Sequence, residues 1–504
     1  MKDQLLLVLD AGTTSTRAIA FSQDGEIVAS AGRALTQHYP ASGWVEHDAG
    51  EIRDLSRACL EEVAAQVGVQ RIAAIGITNQ RETVCFWDLT TGEPLARAIV
   101  WQDRRTADYC AGLKAHEPGL EARVQAKTGL LLDPYFSATK MRWALDNWPT
   151  VADAARDGRL AVGTVESWLI WNLSGGQAHI TDATNASRTL LMDLAACQWD
   201  DELIALFGVP KAALPRIVDC AGALANTALL GRRIPITGVA GDQQAAAIGQ
   251  ACLSAGMLKA TYGTGCFLLA HAGAVPPVSR NRLLATVAWR LDGAAAYALE
   301  GAIFVAGSAI QWLRDGLGII ASSADSEALA QSVPDNGGVS FVPALAGLGA
   351  PYWAPDARGV ICGLSGGSTR AHIVRAALEA QGQQTADLVD ALAADGVAAA
   401  MLRVDGGMVA NDWLCQDLAD SLGAVVERPR VIETTAMGAA MLAGVGAGLF
   451  PDLPAAAAAM VAADVRFHPA IDGVARSARR SQWQAAVAKV LAEVKPELNL
   501  EAKL

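Results

Sequence analysis

The chain has 504 residues, a formal net charge of −12, 18% charged residues and 52% hydrophobic ones. That length allows about two to four domains with sizeable cores, and a mean hydropathy of +0.25 excludes a disordered chain. A pI near 5.1 argues against a nucleic-acid surface, which needs clustered Lys and Arg.

The nine cysteines are dispersed from Cys59 to Cys415 with no CxxC spacing, which reads as reduced core thiols rather than a disulfide frame or zinc site. None of the seven histidines forms an HExxH pair. No apolar run reaches the ~18 residues of a membrane span; Thr435 to Phe450 is short and broken by glycines, and Pro454 to Ala463 is shorter still. Met1-Lys2-Asp3-Gln4 runs directly into the strand-like Leu5 to Leu9, without a signal-peptide core and cleavage site. The expectation is a cytoplasmic protein without membrane insertion, acting on small molecules.

In chain order, Leu5 to Leu9 leads into Asp10-Ala-Gly-Thr-Thr-Ser15. Strand-like Thr16 to Ser22, an Asp24-Gly25 turn and Glu26 to Ser30 then complete a β-meander. Helical periodicity follows over Gly50 to Val67 and Ser137 to Asn147. Between them Ile72 to Thr78 runs into Asn79-Gln-Arg-Glu82, and Ala98 to Trp101 runs into Gln102-Asp-Arg-Arg105. Ile236 to Ala240 precedes Gly241-Asp242 and a helical Gln243 to Ala251. The opening theme then returns as Gly256 to Thr261, the turn Tyr262-Gly-Thr-Gly265, and Cys266 to Ala270. Met401 to Asp405, Gly406-Gly407 and a helical Val409 to Leu422 form a third instance. The class is α/β. The repetition predicts an internal duplication, residues 1–250 and 251–504, with a ligand between the halves.

Turns of Gly, Thr and Ser after a buried strand can aim N–H and hydroxyl groups at an anion. A single such turn is more often a simple hairpin; three in matching contexts point to phosphate, and Asp10 beside one of them suits Mg²⁺. No Lys follows a Gly, which removes the P-loop, and GxGxxG is absent.

These residues carry a resemblance. Asp10-Ala-Gly-Thr-Thr-Ser15 with its matching Gly-Thr turn is similar to the actin/hexokinase superfamily of ATPases. Gly347-Leu-Gly-Ala-Pro-Tyr-Trp-Ala-Pro-Asp-Ala-Arg-Gly359 resembles the signature of the FGGY carbohydrate kinases within it. Asn79 to Thr83, Trp101 to Arg105, Asp133 to Phe136, Thr184 to Arg188, Gly241 to Gln244 and Tyr262 to Phe267 resemble, in order, the glycerol kinases of that family. The match runs from about residue 5 to about residue 450; the tail beyond Phe450 carries little signal.

The resemblance implies two ribonuclease-H-like, actin-like ATPase domains around a central cleft. It also implies ATP with Mg²⁺, glycerol as acceptor, and a homo-oligomer (dimer or tetramer). Arg81 and Glu82 would hydrogen-bond the glycerol hydroxyls, with Tyr135 and Gln243 adding contacts and Trp101 and Phe267 as walls. Asp242 would remove the hydroxyl proton, and the alternative role for it is N-cap of the following helix. Thr13, Thr14, Ser15 and Arg17 would surround the terminal phosphates, with Thr264 opposite. Gly307 and Gln311 would flank the nucleoside, Gly407 and Asn411 the adenine, and Asp10 and Asp242 the metal. An ordinary polar helix position is the simpler reading of Asn411. Another short polyol or sugar is the alternative substrate.

Some residues depart from the family pattern. Gln381-Gly-Gln-Gln384, in a helix of roughly Ala371 to Ala394, and Asp417 are polar where apolar, small or aromatic residues are usual, and Glu166 replaces an Asp. Gly231-Arg-Arg233 resembles, in shorter form, the fructose 1,6-bisphosphate loop of some bacterial relatives. Two rival classes remain: a non-catalytic ATP-binding sensor, and a hydrolase with Ser365 in Gly363-Leu-Ser-Gly-Gly367 as nucleophile and His468 as base.

Overall fold

The computed structural model describes residues 3–229 and 231–494. Strands Leu5–Ala11, Ser15–Phe21 and Ile27–Ala34 form the antiparallel meander. Ile72–Asn79 lies parallel to the first of them, Ile234–Gly241 parallel to that, and Ala221–Thr227 closes the six-stranded sheet. Leu5–Ala11 is buried throughout because both of its faces are covered, hence the unbroken apolar run from Leu5 to Leu9 before Asp10. Leu5, Leu7 and Leu9 pack with helix Ala49–Val67, while Leu6 and Val8 pack with helix Thr434–Gly446. Asp48 caps the first of these helices by accepting the N–H of Glu51.

The second sheet repeats the plan. Met257–Tyr262 and Cys266–Gly273 form a hairpin, Ala294–Ile303 pairs antiparallel with the latter, and Met401–Asp405 lies parallel to the former. Val426–Pro429 extends the parallel side, with Leu284–Leu291 and Ala463–Phe467 as edges. Both sheets thus open with a hairpin whose first strand gains a parallel neighbour later in the chain, the ribonuclease-H-like arrangement expected from the sequence.

The glycine-broken apolar run at 435–450 belongs to helix Thr434–Gly446, which returns to the first sheet and crosses helix Asp242–Gly249 at close range. A Cβ on Gly438 would collide with the Ala245 carbonyl, so this crossing requires glycine. Among the described residues no helix is long and apolar enough to cross a membrane.

The atypical polar residues of the second half meet in one place. Helix Arg370–Ala394 packs against helix Asp412–Leu422, and a Cβ on Gly382 would lie 2.6 Å from both Asp417 Oδ2 and Ser421 Oγ. Glycine there lets the helices close around a buried carboxylate. The partner comes from the tail: helix Gly473–Val494 brings Arg479 onto Asp417. The same helix sets Arg480 on Asp387 at 2.5 Å and lets Trp483 Nε1 donate to Asp387 at 2.9 Å. The tail that carries little sequence signal therefore completes the polar core of the second half.

Under the first sheet, Glu166 is wholly buried and holds the end of strand Ile72–Asn79. It accepts from Asn79 Nδ2 at 2.9 Å, Thr164 Oγ1 at 2.6 Å and Thr181 Oγ1 at 2.7 Å. Loss of water, reinforced by the Asp182 charge, pushes its carboxyl up to about 7 despite these donors.

Two outcomes follow. Because the folded pKa of Glu166 lies above the ordinary 4.5, its contribution to stability is full below that value and is lost as pH rises through about 7. The unfolding free energy of wild type from urea titration should therefore fall, relative to Glu166→Gln, between pH 5 and pH 8, by an amount on the order of 1–3 kcal/mol. Arg479→Ala removes the cation that holds buried Asp417 and should cost about 3–5 kcal/mol in the same assay. Asp417→Asn in that background should recover part of the loss.

Candidate active site

The site forms where strand ends of both sheets face each other. Beyond Ile72–Asn79 the chain turns through Arg81 and Glu82, both buried, and Glu82 takes a left-handed φ of 59°. A non-glycine residue held in that region marks a position fixed by its surroundings. Those surroundings are ionic. Arg81 donates from Nη1 to Glu300 Oε2 at 2.6 Å and from Nη2 to Glu300 Oε1 at 3.1 Å. Arg188, also fully buried, donates from Nε to Glu82 Oε1 at 2.6 Å and from Nη2 to Glu300 Oε1 at 3.1 Å. Burial alone would raise the Glu300 carboxyl, but the Arg188 and Arg81 guanidiniums outweigh it and hold the group down at about 2.

Asp242 follows the strand Ile234–Gly241 and begins helix Asp242–Gly249. Gly241, not Asp242, holds the N-cap position, and the helix ends two residues before the expected Ala251. The N-cap alternative for Asp242 is therefore corrected: its Oδ1 accepts the N–H of Gln243 at 2.7 Å and lies 3.3 Å from Arg81 Nε. Its side chain remains 31% exposed, open to the cleft on one side. The protein around it removes enough water to push the carboxyl up to about 6, with Arg81 opposing. Upstream, the Gly241 N–H donates to Thr184 Oγ1 at 2.9 Å, which fixes the strand end that carries Asp242.

The aromatic residues expected as walls lie against one another. Trp101 meets Tyr135 edge-on at 5.7 Å between ring centroids and Phe267, from the second sheet, at 6.2 Å. Trp101 Nε1 donates to Thr13 Oγ1 at 2.9 Å, joining the wall to the first Gly-Thr turn. Gln243 Oε1 accepts from Lys259 Nζ at 2.5 Å.

At the first Gly-Thr turn, Arg17 bridges Asp10 at 2.6 Å and Glu433 at 2.8 Å. Burial raises the Asp10 carboxyl, with Arg17 opposing. Thr14 is exposed beside half-buried Thr13 and Ser15. In the second turn Thr264 is exposed, and its carbonyl accepts the N–H of Ala306 at 2.9 Å and of Ser308 at 3.1 Å. Gly307 donates to Gly263 O at 2.9 Å, so this turn is stapled to the start of helix Gly307–Asp315, on which Gln311 is exposed. Gly407 faces open space. Asn411 is the N-cap of helix Asp412–Leu422, accepting from Leu414 N–H at 2.9 Å. The structure spends its acceptor on that cap.

Sequence reasoning assigned no role to Arg188, Glu300, Lys259 or Gln244. The available signal was a lone charge inside an otherwise apolar strand, Glu300 in Ala294–Ile303 and Lys259 in Met257–Tyr262. Such a charge requires a buried partner. Ser365 sits in an exposed turn, where its Oγ accepts the Gly367 N–H at 3.3 Å; the strand before it, Val360–Cys362, belongs to a two-stranded sheet. That is not the central strand of a nucleophile elbow. Arg232 donates to the carbonyls of Val69, Gln70 and Ile72 at 3.2–3.4 Å.

Comparison with known proteins agrees with this architecture. Residues 5–249 match the N-terminal domain of the FGGY family of carbohydrate kinases and residues 258–447 its C-terminal domain. A glycerol kinase of Rhodospirillum rubrum is 54% identical over 495 residues, covering 97% of this chain and 99% of its own. One from Dechloromonas aromatica is 53% identical over 494 residues, covering 97% and 98%. The crystal structure of Plasmodium falciparum glycerol kinase with ADP superposes with a TM-score of 0.92 at 36% identity, covering 97% of this chain and 98% of that one. A xylulose kinase of Rhodospirillum rubrum superposes at 0.87 with 26% identity, covering 98% and 99%. With both family domains matched along its length, the chain belongs to the FGGY family of carbohydrate kinases.

Proposed function

We infer that the chain transfers the terminal phosphoryl group of ATP to glycerol, forming sn-glycerol 3-phosphate and ADP. The observation that carries this reading is the convergence of Arg81, Glu82 and Asp242 at the strand ends of the first half, with Trp101 of that half in contact with Phe267 of the second. Relatives that match almost the whole chain are glycerol kinases. A three-carbon polyol offers hydroxyls that need matched donors and acceptors, and CH faces that need apolar walls. Glu82 Oε2 accepts no hydrogen bond from the described residues and is available to a substrate hydroxyl. The Arg81 Nη2 hydrogen not held by Glu300 supplies a donor.

In this reading the polyol lies along Trp101, with Tyr135 and Gln243 as further contacts, and its terminal hydroxyl meets Asp242. The carboxylate takes the hydroxyl proton as the oxygen bonds to the terminal phosphorus and the bond to the ADP oxygen breaks. A carboxyl raised to about 6 is a stronger base than an ordinary Asp and is still ionised at neutral pH. The aromatic walls exclude water, the competing acceptor. Thr13, Thr14, Ser15, Arg17 and Thr264 face the phosphates, Gly307 and Gln311 the nucleoside, and Gly407 with Asn411 the adenine.

Asp10 Oδ1 and Asp242 Oδ2 receive no donor from the described residues, and no group of three metal-ligating side chains occurs among them. That donor set fits Mg²⁺, which takes few protein ligands and completes its shell with phosphate and water. Held by Asp10 and Asp242, directly or through water, it would neutralise charge on the phosphates. The reading places the enzyme in the cytoplasm, as a homo-oligomer, with residues 1–250 and 251–504 as its two domains.

The test is Mg²⁺-ATP turnover with a panel of short polyols and sugars, following ADP and the phosphorylated product. Wild type should form sn-glycerol 3-phosphate. Asp242→Asn should keep its fold and melting behaviour while kcat drops on the order of 10²–10⁴-fold. Turnover of another polyol with no response to glycerol would keep the family and replace the substrate.

A further inference from the structure

The face that the second sheet turns toward the first half carries Lys259 and Glu300 among its charges. Lys259, Leu269 and Glu300 lie opposite one another on three neighbouring antiparallel strands, and Thr261, Phe267 and Ala302 form the next row on the same face. Phe267 meets Trp101. Lys259 and Glu300 are almost wholly buried and reach across to the first half, Lys259 to Gln243 at 2.5 Å and Glu300 to Arg81 at 2.6 Å.

These contacts engage the side chains expected to read the polyol. The Arg81 fork is closed on Glu300 through both Nη atoms, and Nη1 also donates to Gln244 Oε1 at 3.3 Å. Its rotation is therefore stopped, with Nε left toward Asp242. Glu82 is fixed in the same way, its Oε1 taken by Arg188 Nε while the Nη2 of Arg188 returns to Glu300. One carboxylate from the second half thus sets the orientation of a donor and, through Arg188, an acceptor in the first. A bidentate Arg–carboxylate pair in a water-free setting has the directionality for this.

We propose that Glu300, acting with Arg188, is a positioning residue for polyol recognition, so that the first-half pocket is in register only while the second half holds it. The proposal rests on the reading of Arg81 and Glu82 as polyol contacts.

The measurement is calorimetric glycerol binding in the absence of ATP, beside the KM for ATP, on the full chain. Glu300→Gln keeps the shape and removes the charge; its glycerol Kd should rise about tenfold or more, the scale of a lost charge-assisted hydrogen bond, while the ATP KM stays within about twofold. Asp219→Asn is the control. It weakens another contact between the sheets, Arg290 to Asp219 at 2.5 Å, and should leave the glycerol Kd unchanged. A folded Glu300→Gln with wild-type glycerol affinity would overturn the proposal. So would glycerol Kd and ATP KM rising together in both Glu300→Gln and Asp219→Asn, which marks a general interface role. If Glu300→Gln does not fold, Arg188→Lys carries the test, since it keeps the cation and loses the fork; an unchanged glycerol Kd there overturns the proposal equally. Arg81→Lys separates the underlying reading: if it binds glycerol normally, the polyol-site assignment is what fails.

Discussion

The constraint on which the site depends is the buried alternation of charge Arg81–Glu300–Arg188–Glu82. Ions removed from water are expensive, and their mutual attraction offsets that cost only with near-ideal geometry and few spare lone pairs. Here two guanidiniums and two carboxylates balance, with the Arg–Glu300 and Arg–Glu82 hydrogen bonds between 2.6 and 3.1 Å. The requirement spreads outward. Glu82 accepts a left-handed backbone to meet Arg188, and Gly241 lets the Arg81 side chain pass, since a Cβ there would lie 2.7 Å from Arg81 Cγ.

The division of labour between the halves follows from this. The first half supplies most of the polar groups proposed to meet substrate, and the second supplies Phe267, which meets Trp101, and the charges that hold Arg81 and Gln243. The proposed phosphate side is also shared, since Arg17 is held by Asp10 of the first half and Glu433 of the second. The glycine-mediated crossing of helices Asp242–Gly249 and Thr434–Gly446 anchors the chain directly beneath Asp242. In the proposed role of Asp242 as base, its place at a tightly packed helix start gives rigidity, while its partial exposure leaves access for substrate.

The C-terminal helix shows how a departure from a pattern is absorbed. Asp387 and Asp417 would be costly if buried alone, yet Arg479, Arg480 and Trp483 meet them on one helix face. Gly382 costs helix propensity in the middle of a long helix, and in exchange the neighbouring helix brings its carboxylate into contact.

The sequence by itself determined the strands that open the first sheet, because a run buried on both faces, such as Leu5 to Leu9, must be continuously apolar, but not Leu284–Leu291 or Ala294–Ile303. It also determined the turns, because Gly and Thr after such strands serve few other purposes. Helices with clear periodicity, Ser137–Asn147 among them, were readable residue by residue. The aromatic walls and Arg81, Glu82 and Asp242 were legible because they lie within short motifs at strand ends. What the tertiary structure alone decided was pairing across long separations. Glu300 lies 219 residues from Arg81, and Arg479 lies 62 from Asp417. A lone charge in an apolar strand announces that it needs a partner, but local pattern does not say which, because burial, unlike periodicity, is settled only when distant elements come together.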